Sequence, residues 1–212
     1  MGYGAMRRWT TDLVKDIRYG DFRDDSDDAF DDLVNLSRAK TEVMGEFSPA
    51  NHNALQFAIN QCSSKPKTFL EIGVCRNGTY SSTHTISRNL PEDGIYLGVD
   101  IEDKTYLNNS KRGIYTIKTS SSNYDEVYSL LNNLGVASLD FIFIDGWHSI
   151  NQVLDDWQYT TMLSDGGVVA FHDTTSHPGP HFFMKNLDKT KWYVMENLCP
   201  KDHGLGFCKK VS

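Results

Sequence analysis

The stretch that decides the fold is Phe69-Leu70-Glu71-Ile72-Gly73-Val74-Cys75-Arg76-Asn77-Gly78. Its apolar first half predicts a buried parallel strand that ends at Gly73. The residues that follow, Thr79 to Leu90, predict a helix. A strand, a glycine turn and a helix form the first half of a nucleotide-binding crossover, in which glycines let the backbone bend tightly and approach a ligand. The helix amide groups then point at whatever lies over the turn.

The glycine spacing leaves two kinds of nucleotide site open. Gly73, Cys75 and Gly78 fall on the G-x-G-x-x-G spacing of a dinucleotide site, with Cys75 in place of the middle glycine. Glu71 favours the other kind, because a carboxylate at the end of a buried strand is costly unless it has a partner. Glu71-Ile72-Gly73 with Gly78 resembles the first motif of S-adenosylmethionine-dependent methyltransferases, in which the acid lies beside the amino-acid end of the cofactor.

One position of this motif departs from the usual residue, and another has a second interpretation. Asn77 stands where the class usually has a third glycine, and Asn tolerates a positive φ better than most residues. Glu71 has a second interpretation, as an acid that caps a helix or forms a salt bridge. The resemblance implies that Glu71, Gly73, Asn77 and Gly78 bind the cofactor.

Bulk composition narrows the class of protein. The chain has 212 residues, 39% of them hydrophobic, which is enough for one α/β domain with an extension. The net charge is −7 and no basic stripe stands out, so a nucleic-acid partner is not expected. No apolar run approaches the roughly 20 residues of a membrane span, and the N-terminus has no signal-peptide core. The scattered cysteines predict reduced thiols and a cytoplasmic protein.

The chain is expected to divide into residues 1–65, an N-terminal helical cover, and residues 66–212, an S-adenosylmethionine-binding methyltransferase domain. Apolar periodicity and capping residues predict three helices in the cover, over Trp9–Ile17, over Asp27–Arg38 and from Pro49 to about Cys62. Seven aspartates between Asp21 and Asp32 indicate a solvated acidic turn, since no glycine-spaced calcium loop accompanies them.

Two further strands are expected to end at the same edge of the sheet. The run from Gly94 to Ile101 contains Asp100, where an acid can accept hydrogen bonds from both ribose hydroxyls of an adenosine. Glu102 is the competing acid. A third strand, residues 113–118, precedes a serine-rich loop, and the methyltransferase resemblance implies that Ser121 lies beside the adenine. The alternative is that these serines only cap the next helix.

A second polar constellation follows two buried strands. The nearly unbroken apolar run Leu139–Ile144 predicts a central strand, and a turn at Asp165-Gly166-Gly167 leads into another strand, Val168–Phe171. Because ligands bind beyond the carboxyl ends of such strands, we expect the polar residues that follow them to converge. These residues are Asp145, His148, His172 and Asp173.

The order Ile-Asp-Gly-x-His, helix, Asp-Gly-Gly and Phe-His-Asp-Thr resembles the macrocin O-methyltransferase and cephalosporin hydroxylase-like family, over about residues 68–175. The resemblance implies a divalent cation, Mg²⁺ or Mn²⁺, with Asp145, His172 and Asp173 as ligands, and His148 as the general base. His172 stands where several metal-dependent relatives have an acid, and such a set suits manganese, iron or zinc as readily as magnesium. The alternatives are that His148 only packs and that the two aspartates cap helices.

The end of the chain predicts the closing part of the sheet. The stretch Thr174–His181 is expected to be irregular because of its prolines and glycine. His177 and His181 are expected to be exposed in this loop, and the alternative is that they add ligands to the cluster. A helix over residues 182–187 and strands over residues 192–195 and 205–208 follow. The expected fold is α/β, a Rossmann-like, seven-stranded methyltransferase sheet, mostly parallel with a C-terminal antiparallel hairpin.

Together these patterns predict an S-adenosylmethionine-dependent O-methyltransferase that acts on a hydroxyl of a small molecule such as a sugar, polyketide or phenol. Asp145 would serve both cofactor and catalysis. The alternatives are an NAD-binding oxidoreductase and a non-catalytic member of the fold. A small-molecule acceptor is the expected partner, and the resemblance is compatible with a homo-oligomer.

Overall fold

The computed structural model describes residues 47–74 and 81–211. The helices predicted over Trp9–Ile17 and Asp27–Arg38 lie outside these residues, as do Asn77 and Gly78 of the glycine turn. The boundary predicted between residues 65 and 66 stays a prediction.

The described residues form one seven-stranded sheet in the order β3-β2-β1-β4-β5-β7-β6. β1 to β5 are parallel, and β7 pairs antiparallel with both β5 and β6. The predicted methyltransferase-type sheet is therefore confirmed. The strands are β1 Thr68–Ile72, β2 Ile95–Asp100, β3 Ile114–Lys118, β4 Leu139–Ile144, β5 Leu163–His172, β6 Trp192–Met195 and β7 Leu205–Lys210.

Helices cover both faces of the sheet, because strands β1, β2 and β4 are apolar on both sides. Leu70 and Ile142 pack in one core with α3, α4 and α5, whereas Phe69 and Phe141 pack in a second core with α1 and α2. The α-helices are α1 Pro49–Ile59, α2 Ser82–Asn89, α3 Tyr124–Asn133, α4 Ile150–Asp156 and α5 Pro178–Asn186. Short 3₁₀ segments span Thr105–Leu107, Ser110–Arg112 and Trp157–Met162.

Two local predictions are wrong. Asp165-Gly166-Gly167 is not a turn but part of β5, where the register shifts from Leu139 opposite Leu163 to Phe141 opposite Val168. The bulge absorbs the extra residues without ending the strand. Residues 174–181 are not wholly irregular either, because α5 begins at Pro178. A proline at the first helical position loses no intrahelical hydrogen bond and has a suitable φ.

The sheet order creates a crevice beyond the carboxyl end of β1. The chain leaves β1 for β2 on one side, and β4 pairs with β1 on the other side. Such a switch point is where open α/β sheets bind ligands. Within the described part of the chain, no helix has the length and apolarity needed to cross a membrane.

Candidate functional site

The turn after β1 is pressed against the end of β4. Gly73 has a φ of +81°, and a Cβ at this position would lie 2.0 Å from the backbone oxygen of Asp145. The Asp145 amide donates to the Ile72 carbonyl at 2.8 Å. Only glycine fits this position, because a side chain would meet fixed backbone and strain φ. The predicted glycine turn is therefore a close approach between β1 and β4 at the crevice.

Glu71 is fully buried and surrounded by hydroxyl groups. Thr83 donates to its Oε2 at 2.8 Å, and the hydroxyls of Ser82 and Tyr96 also donate to the carboxylate. Burial raises the pKa of Glu71 to about 7, although the three hydroxyls oppose this shift. Glu71 therefore fastens the first turn of α2 to β1 and β2. Its direct contact with a cofactor stays a prediction.

Asp100 closes the other side of the crevice, at the end of β2. Its Oδ2 accepts from the Val74 amide at 2.8 Å, and its Oδ1 accepts from the Glu102 amide at 2.7 Å. Lys104 is buried and places its Nζ 4.0 Å from Asp100 Oδ2. The Asp100 carboxylate is thus oriented by one backbone amide from the glycine turn and one from its own loop, whereas the Glu102 side chain is exposed. This geometry favours Asp100 over Glu102 as the ribose acceptor.

The loop after β3 is tied to α4. Ser121 Oγ accepts from Gln152 Nε2 at 3.0 Å, and the Ser121 carbonyl accepts from the Tyr159 hydroxyl at 2.6 Å. Gln152 also donates to Asp156 Oδ1 at 2.9 Å, and burial raises the pKa of Asp156 to about 7. No pattern in the sequence predicts a role for Gln152 and Asp156, since their side chains meet this loop only once α4 has packed against it.

The three predicted metal ligands meet at the ends of β4 and β5. His172 Nδ1 lies 3.1 Å from Asp145 Oδ1 and 3.2 Å from Asp173 Oδ2. One donor atom from each residue lies within 4.8 Å of the others. Asp173 has a φ of +58°, a left-handed conformation that is uncommon outside glycine. The predicted convergence of these side chains is present in the structure, and a strained backbone aims one of them.

The charges of this cluster compensate one another. Burial lowers the pKa of His172, but the Asp145 and Asp173 carboxylates outweigh it and raise that pKa well above its usual value. Burial raises the pKa of Asp173, but His172 and His148 outweigh it and hold that pKa well below its usual range. The two carboxylates therefore demand a positive partner. A protonated His172 supplies this positive charge, and a bound cation that replaces the proton of His172 would supply it instead.

His148 contacts the same Asp173 oxygen as His172. Its Nε2 is 2.9 Å from Asp173 Oδ2, and its ring stacks on His177 with centroids 3.8 Å apart. His148 directly precedes Ser149, the N-cap of α4, and is partly exposed. The pair with Asp173 fixes its ring, so the position that the sequence suggested for a general base contains an oriented imidazole.

His177 contradicts its prediction. It is buried rather than exposed in a loop, and its Nε2 lies 3.9 Å from Asp173 Oδ1. It is the N-cap residue of α5, the helix whose early start the sequence analysis missed. His203 was also missed, and its Nδ1 lies 3.7 Å from Asp173 Oδ1. The signal that could have placed His177 was the proline that follows it, which marks a helix start.

Four large aromatic residues in the second half of the chain divide between core and surface. Trp192 is 1% exposed and belongs to the core. Trp147, Phe182 and Tyr193 are exposed, by 59%, 40% and 51%. Trp147 lies between Gly146 and His148 in the chain, so an exposed aromatic residue directly precedes a member of the cluster.

Comparisons with known proteins agree with this geometry. Residues 70–174 match a family model described as "Methyltransferase domain". The O-methyltransferase from Bacillus cereus, solved with SAH (S-adenosylhomocysteine), is 17% identical with a TM-score of 0.56, and the match covers 95% of this chain and 96% of that chain. TomG from Streptomyces achromogenes, an O-methyltransferase of tomaymycin synthesis solved with SAM, is 15% identical with a TM-score of 0.55, over 92% of each chain.

The third similar structure is MycE, a methyltransferase of the mycinamycin pathway solved with Mg, SAH and mycinamycin VI. It is 17% identical with a TM-score of 0.55, and the match covers 82% of this chain but 52% of that chain. The chain thus spans about half the length of the MycE structures it matches. At these identities the structures establish the fold. No curated protein matches the chain.

Proposed function

Since the chain belongs to the methyltransferase-domain family matched over residues 70–174, we propose that it is an S-adenosylmethionine-dependent O-methyltransferase acting on a hydroxyl of a small molecule. One observation carries the proposal. Asp145, His172, Asp173 and His148 converge at the end of β4 and β5, directly against the Gly73 turn. A cofactor turn and a proton-accepting cluster therefore share one crevice.

The cofactor-binding residues of this proposal are Glu71, Gly73, Asn77, Gly78, Asp100, Ser121 and Asp145. Gly73 and Asp100 support it most directly, because Gly73 lets the turn after β1 pack against the Asp145 backbone and the Val74 amide orients the Asp100 carboxylate. Asp145 lies beside both Gly73 and His172. S-adenosylmethionine supplies an already activated methyl group when it is bound.

The protein's own task is to align the acceptor oxygen and remove its proton. Asp173 Oδ2 accepts the Nε2–H of His148, which fixes the tautomer that has its lone pair on Nδ1. His148 Nδ1 takes the hydroxyl proton, and Asp173 stabilises the imidazolium that results. General-base assistance of this kind contributes about 10²–10⁴ in rate.

A divalent cation fits the residues present. Asp145, His172 and Asp173 provide two carboxylates and one imidazole, and the carboxylates call for a positive charge between them. Bound there, the cation would lower the pKa of the acceptor hydroxyl and fix its position. The imidazole makes manganese, iron or zinc as suitable as magnesium.

Three further parts of the proposal concern the setting of the reaction. A small-molecule acceptor, with no nucleic-acid partner, agrees with the net charge of −7 and the exposed Trp147 beside the cluster. A cytoplasmic location agrees with the scattered cysteines of the sequence. A homo-oligomer is compatible with the family.

The NAD-binding alternative finds no support in the family model or in the similar structures. The contact between His148, the proposed base, and the Asp173 carboxylate counts against the non-catalytic alternative.

Calorimetric titration with S-adenosylhomocysteine tests the proposal, with NADH as the control ligand and with or without Mg²⁺ or Mn²⁺. We expect S-adenosylhomocysteine to bind with micromolar affinity and NADH to give no heat of binding. A screen of hydroxyl-bearing acceptors by mass spectrometry would then detect the added methyl group. Binding of NADH without binding of S-adenosylhomocysteine would overturn the proposal.

A further inference from the structure

A second set of donor atoms shares Asp173 with the first set and adds His148 and His177 to it. His148 Nε2, His177 Nε2 and a carboxylate oxygen of Asp173 all lie within 4.8 Å of one another. The Nε2 of His148 is 2.9 Å from Asp173 Oδ2, and that of His177 is 3.9 Å from Oδ1. Two imidazoles and one carboxylate therefore face the same small volume.

The backbone holds these donors in place. His148 and His177 stand at the starts of α4 and α5, and the His177 amide donates to the Asp173 carbonyl at 3.1 Å. A Cβ at Gly179 would lie 1.9 Å from the carbonyl oxygen of His148, so the start of α5 presses on the His148 backbone. The Ser176 hydroxyl donates to Asp173 Oδ1 at 2.6 Å and orients the carboxylate from behind.

We infer that His148, His177 and Asp173 form a binding site for a divalent transition ion of the zinc type, distinct from the Asp145–His172–Asp173 set. Two histidines with one carboxylate are the ligand set of several zinc and non-haem iron sites. Magnesium prefers oxygen ligands and gives up its waters reluctantly, so this set discriminates against it. His203, with its Nδ1 3.7 Å from Asp173 Oδ1, adds another imidazole on the exposed side.

The inference does not need the methyltransferase activity, but it has a consequence for it. An ion on Nε2 of His148 leaves the ring proton on Nδ1, which removes the lone pair that accepts the substrate proton. Occupation of this site therefore stops turnover. We therefore expect zinc to inhibit the enzyme, whereas magnesium bound at the Asp145 set does not inhibit it.

Co²⁺ is the probe, because its visible absorption reports bound imidazole ligands. The full chain would be titrated with Co²⁺ in excess Mg²⁺, and Zn²⁺ would then displace the cobalt. We expect one bound Co²⁺ in the wild type. His177→Gln should weaken it more than ~100-fold, beyond the 10–100-fold typical of an outer-shell change. His172→Gln should retain it. His181→Gln is the matched control, because that histidine lies on α5 and contacts the Thr174 carbonyl instead.

Unchanged Co²⁺ affinity in His177→Gln would overturn the inference, and so would loss of the ion in His172→Gln alone, which would assign it to the Asp145 set. If a thermal melt shows that His177→Gln is unfolded, His148→Gln takes its place with the same expected loss. Binding of S-adenosylhomocysteine is measured on the same samples. Cofactor binding without Co²⁺ binding would remove only this inference, and the reverse result would remove only the proposed function.

Discussion

Two buried carboxylates, Glu71 in β1 and Asp173 directly after β5, have different surroundings. Both are almost inaccessible, with 0% and 4% of their surface exposed. The partners of Glu71 are hydroxyl groups, which donate hydrogen bonds but carry no charge. Asp173 accepts one hydrogen bond from the Ser176 hydroxyl, but its other partners are imidazoles, which can carry a positive charge. A carboxylate is therefore buried among neutral hydroxyl groups at one end of the crevice and beside imidazoles that can become charged at the other end.

The difference appears in their affinities for protons. Burial alone raises the pKa of both carboxyls, because it disfavours the charged form. Hydroxyls leave the pKa of Glu71 at about 7, whereas the imidazoles hold that of Asp173 well below its usual range. Burial alone therefore does not identify which carboxyl group is a reactive acid. The charge that the neighbouring side chains can carry identifies it.

The largest effect is expected at Asp173. Asp173→Asn keeps the shape but removes the charge that orients His148 and would hold a cation, so turnover should fall by about 10³-fold or more. The acceptor found in the hydroxyl screen would be used to measure the rate, and calorimetry should show unchanged binding of S-adenosylhomocysteine. The control is Asp165→Asn, an exposed position on β5. A rate within tenfold of wild type would remove Asp173 from the catalytic role.

Glu71 should affect stability rather than chemistry. Its pKa is about 7 in the folded protein against a usual 4.5, so between these values the folded state keeps a proton that the unfolded chain has lost. Stability should therefore fall as pH rises through this window, by roughly 3 kcal/mol for the full shift.

Glu71→Gln should remove that part of the pH slope when urea unfolding is compared at about pH 5 and pH 8. Asp156, whose pKa is also about 7, should keep the remainder. Glu92→Gln, at an exposed position, is the control and should leave the slope unchanged. An unaltered slope in Glu71→Gln would show that Glu71 is charged in the folded protein.

Asp100 provides an intermediate case, since backbone amides orient its carboxylate and part of it stays accessible. Asp100→Asn turns one acceptor into a donor and removes charge at the ribose position. Affinity for S-adenosylhomocysteine should fall about 10- to 100-fold, which corresponds to ~1.4–2.8 kcal/mol. Glu102→Gln should change the affinity less than about threefold. The opposite ranking, measured by calorimetry, would make Glu102 the ribose acceptor.

The smallest effect is expected from one hydroxyl around Glu71. Tyr96→Phe removes a donor to a buried carboxylate that keeps two others, so unfolding free energy should drop by about 1–2 kcal/mol. Tyr106→Phe, at a tyrosine that is 66% exposed, should be neutral in the same urea titrations. No loss in Tyr96→Phe would mean that the Glu71 carboxyl is satisfied without it.

The sequence allowed the strand ends to be predicted because parallel strands bring their carboxyl ends to one edge. Asp145 and Asp173 are far apart in the chain, yet their convergence follows from the order of apolar runs alone. The hydroxyl partners of Glu71 could not be predicted in this way. Ser82 and Thr83 come from α2 and Tyr96 from β2, and only their packing decides that all three face one carboxylate.

The start of α5 shows a different limit. Prolines and a glycine between Thr174 and His181 suggested irregular structure, but Pro178 opens a helix and Gly179 allows that helix to touch the His148 backbone. Breaker residues at a helix start are compatible with the helix, and only the three-dimensional contact distinguishes that case from a loop. For this reason His177 was assigned to the surface.

The contact between Gly179 and the His148 carbonyl also limits how this protein can diversify. Any larger residue at position 179 would displace the base, so the two helix starts must be inherited together as one unit. New acceptors can then be accommodated only by side chains outside that unit. Trp147 and Phe182 are exposed nearby, and they are the positions where substrate preference can drift while the proton-transfer geometry stays constant.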